Sequence, residues 1–194
     1  LKTSAALSGG LLMSFYLPTF GKTPKVASSA APATFEPNAF IRIGADNSIT
    51  IICNHSEMGQ GTYTSMSQLI ADELDADWKS IQIESAPLGE VYANPIFKAQ
   101  LTGKSMTAYT EWERMRTVGA SARSILVQAA ARAWNVDPAS CQTKNSTVIH
   151  PATNRRFSYG ELVDKASGIT APNDVKLKST ADFTYMGKPV KRLD

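Results

Sequence analysis

The chain has 194 residues, of which 43% are hydrophobic and 19% are charged, so it can form a packed core and is not a disordered chain. Its net charge is only +3, and its Lys and Arg residues do not cluster with aromatic residues, which argues against nucleic-acid binding. Cys53, Cys141, His55 and His150 are too few and too scattered to ligate zinc or an iron–sulfur cluster. Two buried thiols are favoured over one disulfide.

The first 37 residues differ in amino-acid composition from the rest of the chain. The run from Ala5 to Leu17 is apolar, falls short of the roughly 20 residues of a membrane span, and is typical of the core of an export signal. The stretch after it is rich in small residues and proline, and Ser28 and Ala30 suit a cleavage site. We therefore predict an export-signal remnant or anchor and a linker over residues 1–37. An amphipathic first helix is the alternative.

Residues 38–167 show the periodicities of an α+β fold. Strands are predicted over residues 40–43, 49–53 and 81–85, where β-branched residues recur between turn signals. Apolar residues at helical spacing predict two main helices, near Thr62–Asp75 and Thr107–Asn135. Small residues from Gly119 to Ala122 predict close packing of the second helix. The fold class is thus a small mixed β-sheet with two main helices packed on one face.

Three further segments complete the pass along the chain. Residues 87–100 form a loop with little periodicity, of a length that is often functional. A hairpin and a short helix from Ser158 through Ala166 follow the second main helix. Residues 168–194 are predicted to be an extended linker to the rest of a larger protein.

Two glycine-rich turns stand immediately before the two main helices. In "EMGQG", Gly59 and Gly61 flank Gln60 between a buried strand and the first helix. The first amides of a helix have no partner within the helix and lie at its positive end, so they can bind an anion if no side chain blocks the approach. In the second turn, "LTGKSMT", glycine again stands beside hydroxyl residues. Two ordinary helix caps are the alternative, and neither a Rossmann motif nor a P-loop is present.

The motifs resemble a known family when they are taken in order. "SEMGQGTYTSMSQLIADELDADWKSIQIESA" followed by "LTGKSMT" resembles the molybdenum-cofactor-binding large (beta) subunit of the xanthine dehydrogenase and aldehyde oxidase family. The similarity is greatest to the bacterial subgroup of isoquinoline 1-oxidoreductase beta subunits and membrane-bound aldehyde dehydrogenase large subunits. "FSYGELV" and "GKPVKRLD" also resemble this subgroup, so the resemblance covers about residues 38–194 and corresponds to the N-terminal portion of such a subunit. The start resembles the part of a twin-arginine export signal that follows its arginine pair.

The resemblance implies a molybdopterin cytosine dinucleotide shared with the rest of the subunit. The cofactor-binding residues that it implies lie in the two turns: Gly59, Gln60, Gly61, Thr62, Thr64, Thr102, Gly103, Lys104 and Ser105. The family more often has Gly-Gly where this chain has Gly103-Lys104, and the ammonium of Lys104 is expected to pair with a phosphate instead.

The resemblance also implies a function that this chain cannot perform alone. The family's catalytic glutamate and its metal site lie in segments absent here, so no catalytic residue and no metal ligand is predicted. Glu57 is expected to bond backbone amides or to pack beside the loop. The implied partners are the remainder of the large subunit, an iron–sulfur small subunit and a c-type cytochrome, in the periplasm, either free or anchored to the inner membrane. The competing interpretations are an exported non-catalytic interaction domain and a membrane-anchored scaffolding subunit.

Overall fold

The computed structural model describes residues 34–194, and it describes side chains from residue 38 onward. Its main sheet has four strands in the order β1-β2-β3-β4, which span Thr34–Asn38, Ile41–Gly44, Ile49–Cys53 and Ile81–Ser85. The first two pairings are antiparallel and the third is parallel, so the sheet is mixed. Strand β1 begins at Thr34, inside the segment for which the sequence indicated a linker.

The core lies between this sheet and two helices, as the sequence predicted. Helix α1 spans Thr62–Leu74 and forms the crossover between the parallel strands β3 and β4, and helix α2 spans Thr107–Trp134. Alternate residues of β2 and β3 point into the core because side chains alternate across a strand. The largest buried side chains include Ile41, Ile43, Ile49 and Ile51 from the strands and Leu69, Ile70, Met115 and Leu126 from the helices. The α+β fold class is confirmed.

Gly119 lets the two helices approach closely. A Cβ atom built at this position would lie 2.7 Å from the carbonyl oxygen of Ile70 and 3.0 Å from the Cβ of Glu73. Both obstacles belong to α1, and the nearer one is backbone that cannot rotate away. The predicted small-residue contact is therefore a contact between helices.

An ionic network crosses the same interface. The carboxylate of Glu73 is fully buried and accepts hydrogen bonds from Nε of Arg116 at 2.9 Å and from the backbone N–H of Lys178 at 3.0 Å. The ammonium of Lys178 lies 2.5 Å from a carboxylate oxygen of Asp75, at the end of α1. Because buried charges require partners, these contacts hold α1, α2 and the C-terminal segment together.

A second, antiparallel sheet follows α2. Its strands are β5 (Gln142–Lys144), β6 (Thr147–His150) and β7 (Arg155–Ser158), so the predicted hairpin gains a third strand. A 3₁₀ turn and the short helix α3 (Val163–Ala166) come next. The hydroxyl of Tyr159, which is completely buried, donates to the carbonyl of Leu74 at 2.5 Å and thereby joins this part of the chain to the end of α1.

The C-terminal segment, predicted as a linker, packs along α1. The backbone N–H groups of Thr184, Tyr185 and Met186 all donate to the carboxylate of Asp72 at 2.6–2.9 Å. Apart from one 3₁₀ turn, Thr180–Asp182, the segment contains no helix or strand. It belongs to the same compact unit as the sheet and the helices.

No helix formed by residues 34–194 combines the length and the apolarity needed to cross a membrane. The predicted export signal or anchor in the first 33 residues lies outside the described part of the chain.

Candidate functional site

The two glycine-rich turns come together at one cavity of about 420 Å³. The first turn connects β3 to α1, and the second leads into α2. Residues from the first turns of both helices line the cavity. The lining contains five hydroxyl groups, one carboxamide, one glycine and three apolar side chains, and no charged residue: Met58, Gln60, Thr62, Ser65, Met66, Thr102, Gly103, Ser105, Thr107 and Ala108.

The predicted cofactor-binding residues divide into two groups. Gln60, Thr62, Thr102, Gly103 and Ser105 line the cavity, whereas Gly59, Gly61, Thr64 and Lys104 are absent from its lining. The hydroxyl of Thr64 accepts a hydrogen bond from the backbone N–H of Leu193 at 3.1 Å, and it thereby binds the C-terminal segment to α1.

The side chain of Lys104 lies against an aromatic ring. Its ammonium lies 5.5 Å from the centre of the Phe97 ring, a cation–π distance. The residue has a φ angle of +53°, in the left-handed region that favours glycine. The family's second glycine therefore corresponds to a backbone conformation that suits glycine, and this chain supports lysine there at a cost in strain.

Glu57 occupies the donors that the sequence suggested for a bound anion. Its carboxylate accepts hydrogen bonds from the backbone N–H groups of Gly59 at 2.8 Å, Gly61 at 2.9 Å and Tyr63 at 3.0 Å. These bonds, led by the one from Tyr63, hold the pKa of Glu57 below its ordinary value. The expectation that free amides of Gly59 and Gly61 bind the anion is wrong for this conformation, and the expectation that Glu57 bonds backbone amides is confirmed.

Backbone conformation explains why positions 59 and 61 are glycine. Gly59 and Gly61 have φ angles of +94° and +83°, which L side chains rarely adopt, and no atom lies within 4 Å of a Cβ built at either position. Gly103 does not have a positive φ, and its Cβ position is equally open. At all three positions the backbone faces open space, which a ligand can enter.

The carboxamide of Gln60 braces its own turn. Its oxygen accepts from the N–H of Met58 at 2.5 Å, and its nitrogen donates to the carbonyl of Ser56 and to the hydroxyl of Thr62, both at 2.8 Å. The N–H of Ser56 in turn donates to the hydroxyl of Thr102 at 2.8 Å. This last bond ties the two turns to each other and fixes one wall of the cavity.

A buried polar cluster, which the sequence did not reveal, connects the segment after β3 to the beginning of α2. The carboxylate of Glu111 is fully buried and lies 3.2 Å from Nε2 of His55 and 3.2 Å from Nδ2 of Asn54. On the other side of the ring, Nδ1 of His55 lies 3.3 Å from the hydroxyl of Thr107. A carboxylate only accepts, so Nε2 carries a proton, and the imidazole links the end of β3 to the first turn of α2.

Charge and burial compete at Glu111. Burial raises its pKa, but the hydrogen bonds from His55 and Asn54 and the charge of Arg114 outweigh burial and leave the pKa below the ordinary value. The Oδ1 atom of Asn54 is buried and has no hydrogen-bond partner among the described residues, although Nδ2 donates to two acceptors. The only signal that could have indicated this cluster is the polar pair Asn54-His55 directly after a buried strand, because Glu111 falls among polar residues of α2.

Cys53 is part of the same region, and its side chain is buried. Burial raises the pKa of its thiol to about 11, and the thiol donates to the carbonyl of His55 at 3.4 Å. It lines a smaller cavity of about 130 Å³, which shares Thr102 with the larger one. Cys53 and Cys141 are both free thiols; Cys53 is buried and Cys141 is half-buried.

Within residues 34–194, no group of three or more His, Cys, Asp or Glu side chains is arranged to hold a metal ion. What this part of the chain offers a ligand is therefore hydroxyl groups, an amide and open glycine backbone.

The sequence matches the family described as the molybdopterin cofactor-binding domain over residues 8–192. The chain belongs to this family. It is 37% identical to the isoquinoline 1-oxidoreductase subunit beta of Brevundimonas diminuta over 151 residues, which cover 74% of this chain and 19% of the relative. It is 30% identical to the membrane-bound aldehyde dehydrogenase [pyrroloquinoline-quinone] of Gluconacetobacter polyoxogenes over 162 residues, or 82% of this chain and 20% of that protein. The predicted family membership is confirmed.

The molybdopterin-binding domain is also similar to parts of solved oxidoreductases. A carbon monoxide dehydrogenase from Oligotropha carboxidovorans has a TM-score of 0.48 and 22% identity over 63% of this chain and 15% of that one. Quinoline 2-oxidoreductase from Pseudomonas putida 86 has a TM-score of 0.47 and 15% identity over 70% of this chain and 17% of that one. The chain thus spans about a fifth or less of the length of the proteins that it matches.

Proposed function

We propose that this domain supplies part of the binding site for molybdopterin cytosine dinucleotide in the large subunit of a molybdenum hydroxylase that oxidises an aldehyde or an N-heterocycle. The observation that carries the proposal is the convergence of two glycine-containing turns on one cavity lined by hydroxyl groups. Membership in the molybdopterin-binding family supports it. The names of two relatives, an isoquinoline oxidoreductase and an aldehyde dehydrogenase, support the two substrate classes.

The cavity suits an oxygen-rich, anionic group in three respects. A volume of about 420 Å³ lies within the range of cofactor sites, roughly 300–1,000 Å³. Its hydroxyls can donate to phosphate or pterin oxygens, and the open backbone at Gly103 leaves room for close approach. No carboxylate lines it, because Glu57 is turned toward the loop amides.

The domain's own residues would bind and orient the group. The hydroxyls of Thr62, Thr102 and Ser105 would donate to it from two sides, and Gln60 and Glu57 would hold the first turn in shape. When bound, the cofactor supplies the molybdenum centre at which the substrate carbon is hydroxylated and the electrons are taken up. The electrons would pass to an iron–sulfur subunit and then to a c-type cytochrome, in the periplasm and at the inner membrane.

Gly103→Leu tests the site with little risk to the fold. The backbone there does not require glycine, and the added side chain would enter the cavity without meeting a protein atom at Cβ. Ala133→Leu, at an exposed position near the end of α2, is the matched control. The complex that copurifies with each variant is assayed for molybdenum by mass spectrometry and for cytidine nucleotide after acid release.

We expect Gly103→Leu to lose most of the molybdenum and the nucleotide while its thermal unfolding matches that of the control. Full cofactor content in this variant would overturn the role of the cavity. A wild-type complex without molybdenum would overturn the proposed function itself. We also expect the isolated chain to oxidise neither aldehydes nor N-heterocycles, because the resemblance places the family's catalytic glutamate in a segment that this sequence does not contain; activity of the chain alone would contradict this.

A further inference from the structure

The loop of residues 87–100 displays large apolar side chains to solvent. The side chain of Leu88 is 95% exposed, and those of Val91, Ile96 and Phe97 are 51%, 52% and 38% exposed. Single exposed apolar residues are ordinary on protein surfaces, but four within ten residues form a patch of the kind found at interaction sites.

The loop is built to hold these side chains in place. The side chain of Asn94 is almost fully buried, and its Oδ1 accepts from the N–H groups of Ile96 and Phe97 at 2.9 and 3.2 Å. The backbone N–H of Asn94 donates to the carbonyl of Ala99 at 3.0 Å. Across the base of the loop, Oε1 of Gln100 accepts from the N–H of Gly89 at 2.9 Å.

Two side chains from outside the loop donate hydrogen bonds to its backbone carbonyl groups. The guanidinium of Arg114 donates to the carbonyls of Val91 and Ala93, the latter at 3.1 Å. Nδ2 of Asn54 donates to the carbonyl of Tyr92 at 3.2 Å. The polar backbone therefore faces inward, and the apolar side chains face outward from a pre-organised frame, which lowers the entropic cost of binding a partner.

The position and charge of the loop indicate what covers it. It leads directly into Thr102 and Gly103 of the cavity wall, and the ring of Phe97 contacts Lys104 of the same turn. Its two charged residues, Glu90 and Lys98, have opposite signs, so the loop as a whole is neutral. The chain matches only 14–20% of the length of its relatives, whose remaining polypeptide is large enough to provide an apolar face.

We propose that the 87–100 loop is the docking surface for that remaining polypeptide of the large subunit, which contacts it through an apolar, uncharged face and closes the cavity from this side. The proposal rests on the proposed function, because it assumes a large subunit of this family. Its experiment therefore measures cofactor content and loop exposure separately.

Hydroxyl-radical footprinting compares the isolated chain with the complex that copurifies with it. Oxidation of Leu88 and Ile96 is expected to fall several-fold in the complex, while that of Phe157 in the second sheet, the internal reference, stays the same. A molybdenum-containing complex in which the loop remains as reactive as in the isolated chain overturns the docking surface and leaves the proposed function standing. A complex without molybdenum overturns the proposed function, and the docking assignment with it.

Variants test the chemistry of the contact. The double variant Leu88→Ser, Ile96→Ser is expected to raise the Kd for the remaining polypeptide by about tenfold or more. A tenfold rise in Kd corresponds to a loss of only about 1.4 kcal/mol of binding free energy. Lys98→Ser, in the same loop, is the control and is expected to bind as the wild type does. Because these side chains are exposed, the unfolding temperature of the double variant should stay close to that of the wild type.

Two other results would also refute the proposal. If Lys98→Ser weakens association as much as the double variant does, the contact is not apolar. If the isolated chain self-associates at high concentration and protects Leu88 and Ile96 in doing so, the occupant is a second copy of this chain.

Discussion

Replacing Gly119 with alanine tests how closely α2 packs against α1. The new methyl group would lie 2.7 Å from the carbonyl oxygen of Ile70, which is 0.7 Å inside the 3.4 Å at which ordinary contact begins. It would also lie 3.0 Å from the Cβ of Glu73. Because the oxygen belongs to the backbone of α1, the helices must separate to accept the methyl group.

Two opposing terms set the size of the effect. Overpacking costs about 1–3 kcal/mol, and a rigid backbone obstacle puts this site near the upper figure, about 3 kcal/mol. Alanine in place of glycine inside a helix returns about 1 kcal/mol. The net loss in the free energy of unfolding is then about 2 kcal/mol, or roughly 4–8 °C in Tm for a chain of this length.

Urea titration followed by circular dichroism measures this loss, provided that the slope against urea is unchanged. Ala133→Gly, at an exposed site in the last turn of the same helix, measures the helix-propensity term there and should cost less than the roughly 1 kcal/mol of a helix interior. If Gly119→Ala is as stable as the wild type or more stable, the two helices do not pack tightly at this residue.

Three further predictions concern buried or bonded polar groups. Glu73→Met should destabilise the fold by about 3–5 kcal/mol because Arg116 keeps a buried, unpaired charge, whereas adding Arg116→Met should recover much of the loss; additive losses in urea titration would contradict this. Tyr159→Phe should cost about 1–3 kcal/mol, because the buried carbonyl of Leu74 loses its donor, and an unchanged urea midpoint would show that the bond contributes nothing. The backbone N–H donors, led by that of Tyr63, hold the pKa of Glu57 below its ordinary value, so the order that it gives the first turn should be present at neutral pH and be lost in acid, as the pH falls through this lowered pKa. Hydrogen exchange at Gly61 should follow this course in the wild type and not in Glu57→Gln; exchange that is equally slow in both would count against the role of Glu57.

The sequence predicted those elements whose signals are local. The helix from Thr62 and the helix from Thr107 were found by their periodic apolar residues, and strand β4 was found with its observed bounds. The resemblance assigned both turns to one cofactor and thereby implied that they lie close together, whereas the residues alone left two ordinary helix caps as an alternative. Each of these inferences needed only neighbouring residues or a known pattern.

Contacts between distant residues were not predictable in this way. Glu111 lies on a face of α2 that looked polar, and only the fold brings His55 and Asn54 to its carboxylate. The bonds between Asp72 and the C-terminal segment join residues more than a hundred positions apart. Apolar periodicity gives no information about such pairs, which is why the C-terminal segment was predicted to be a linker.

The hydrogen bonds between the end of α1 and the C-terminal segment affect how the domain unfolds. Three carboxylates from a single helical turn, those of Asp72, Glu73 and Asp75, hold the chain at Lys178 and at residues 184–186. Because its backbone N–H groups are bound to these carboxylates, the C-terminal segment cannot detach without breaking several hydrogen bonds at once. It should therefore resist proteases until the core itself melts, so that the last residues of the domain and its first long helix form one cooperative unit.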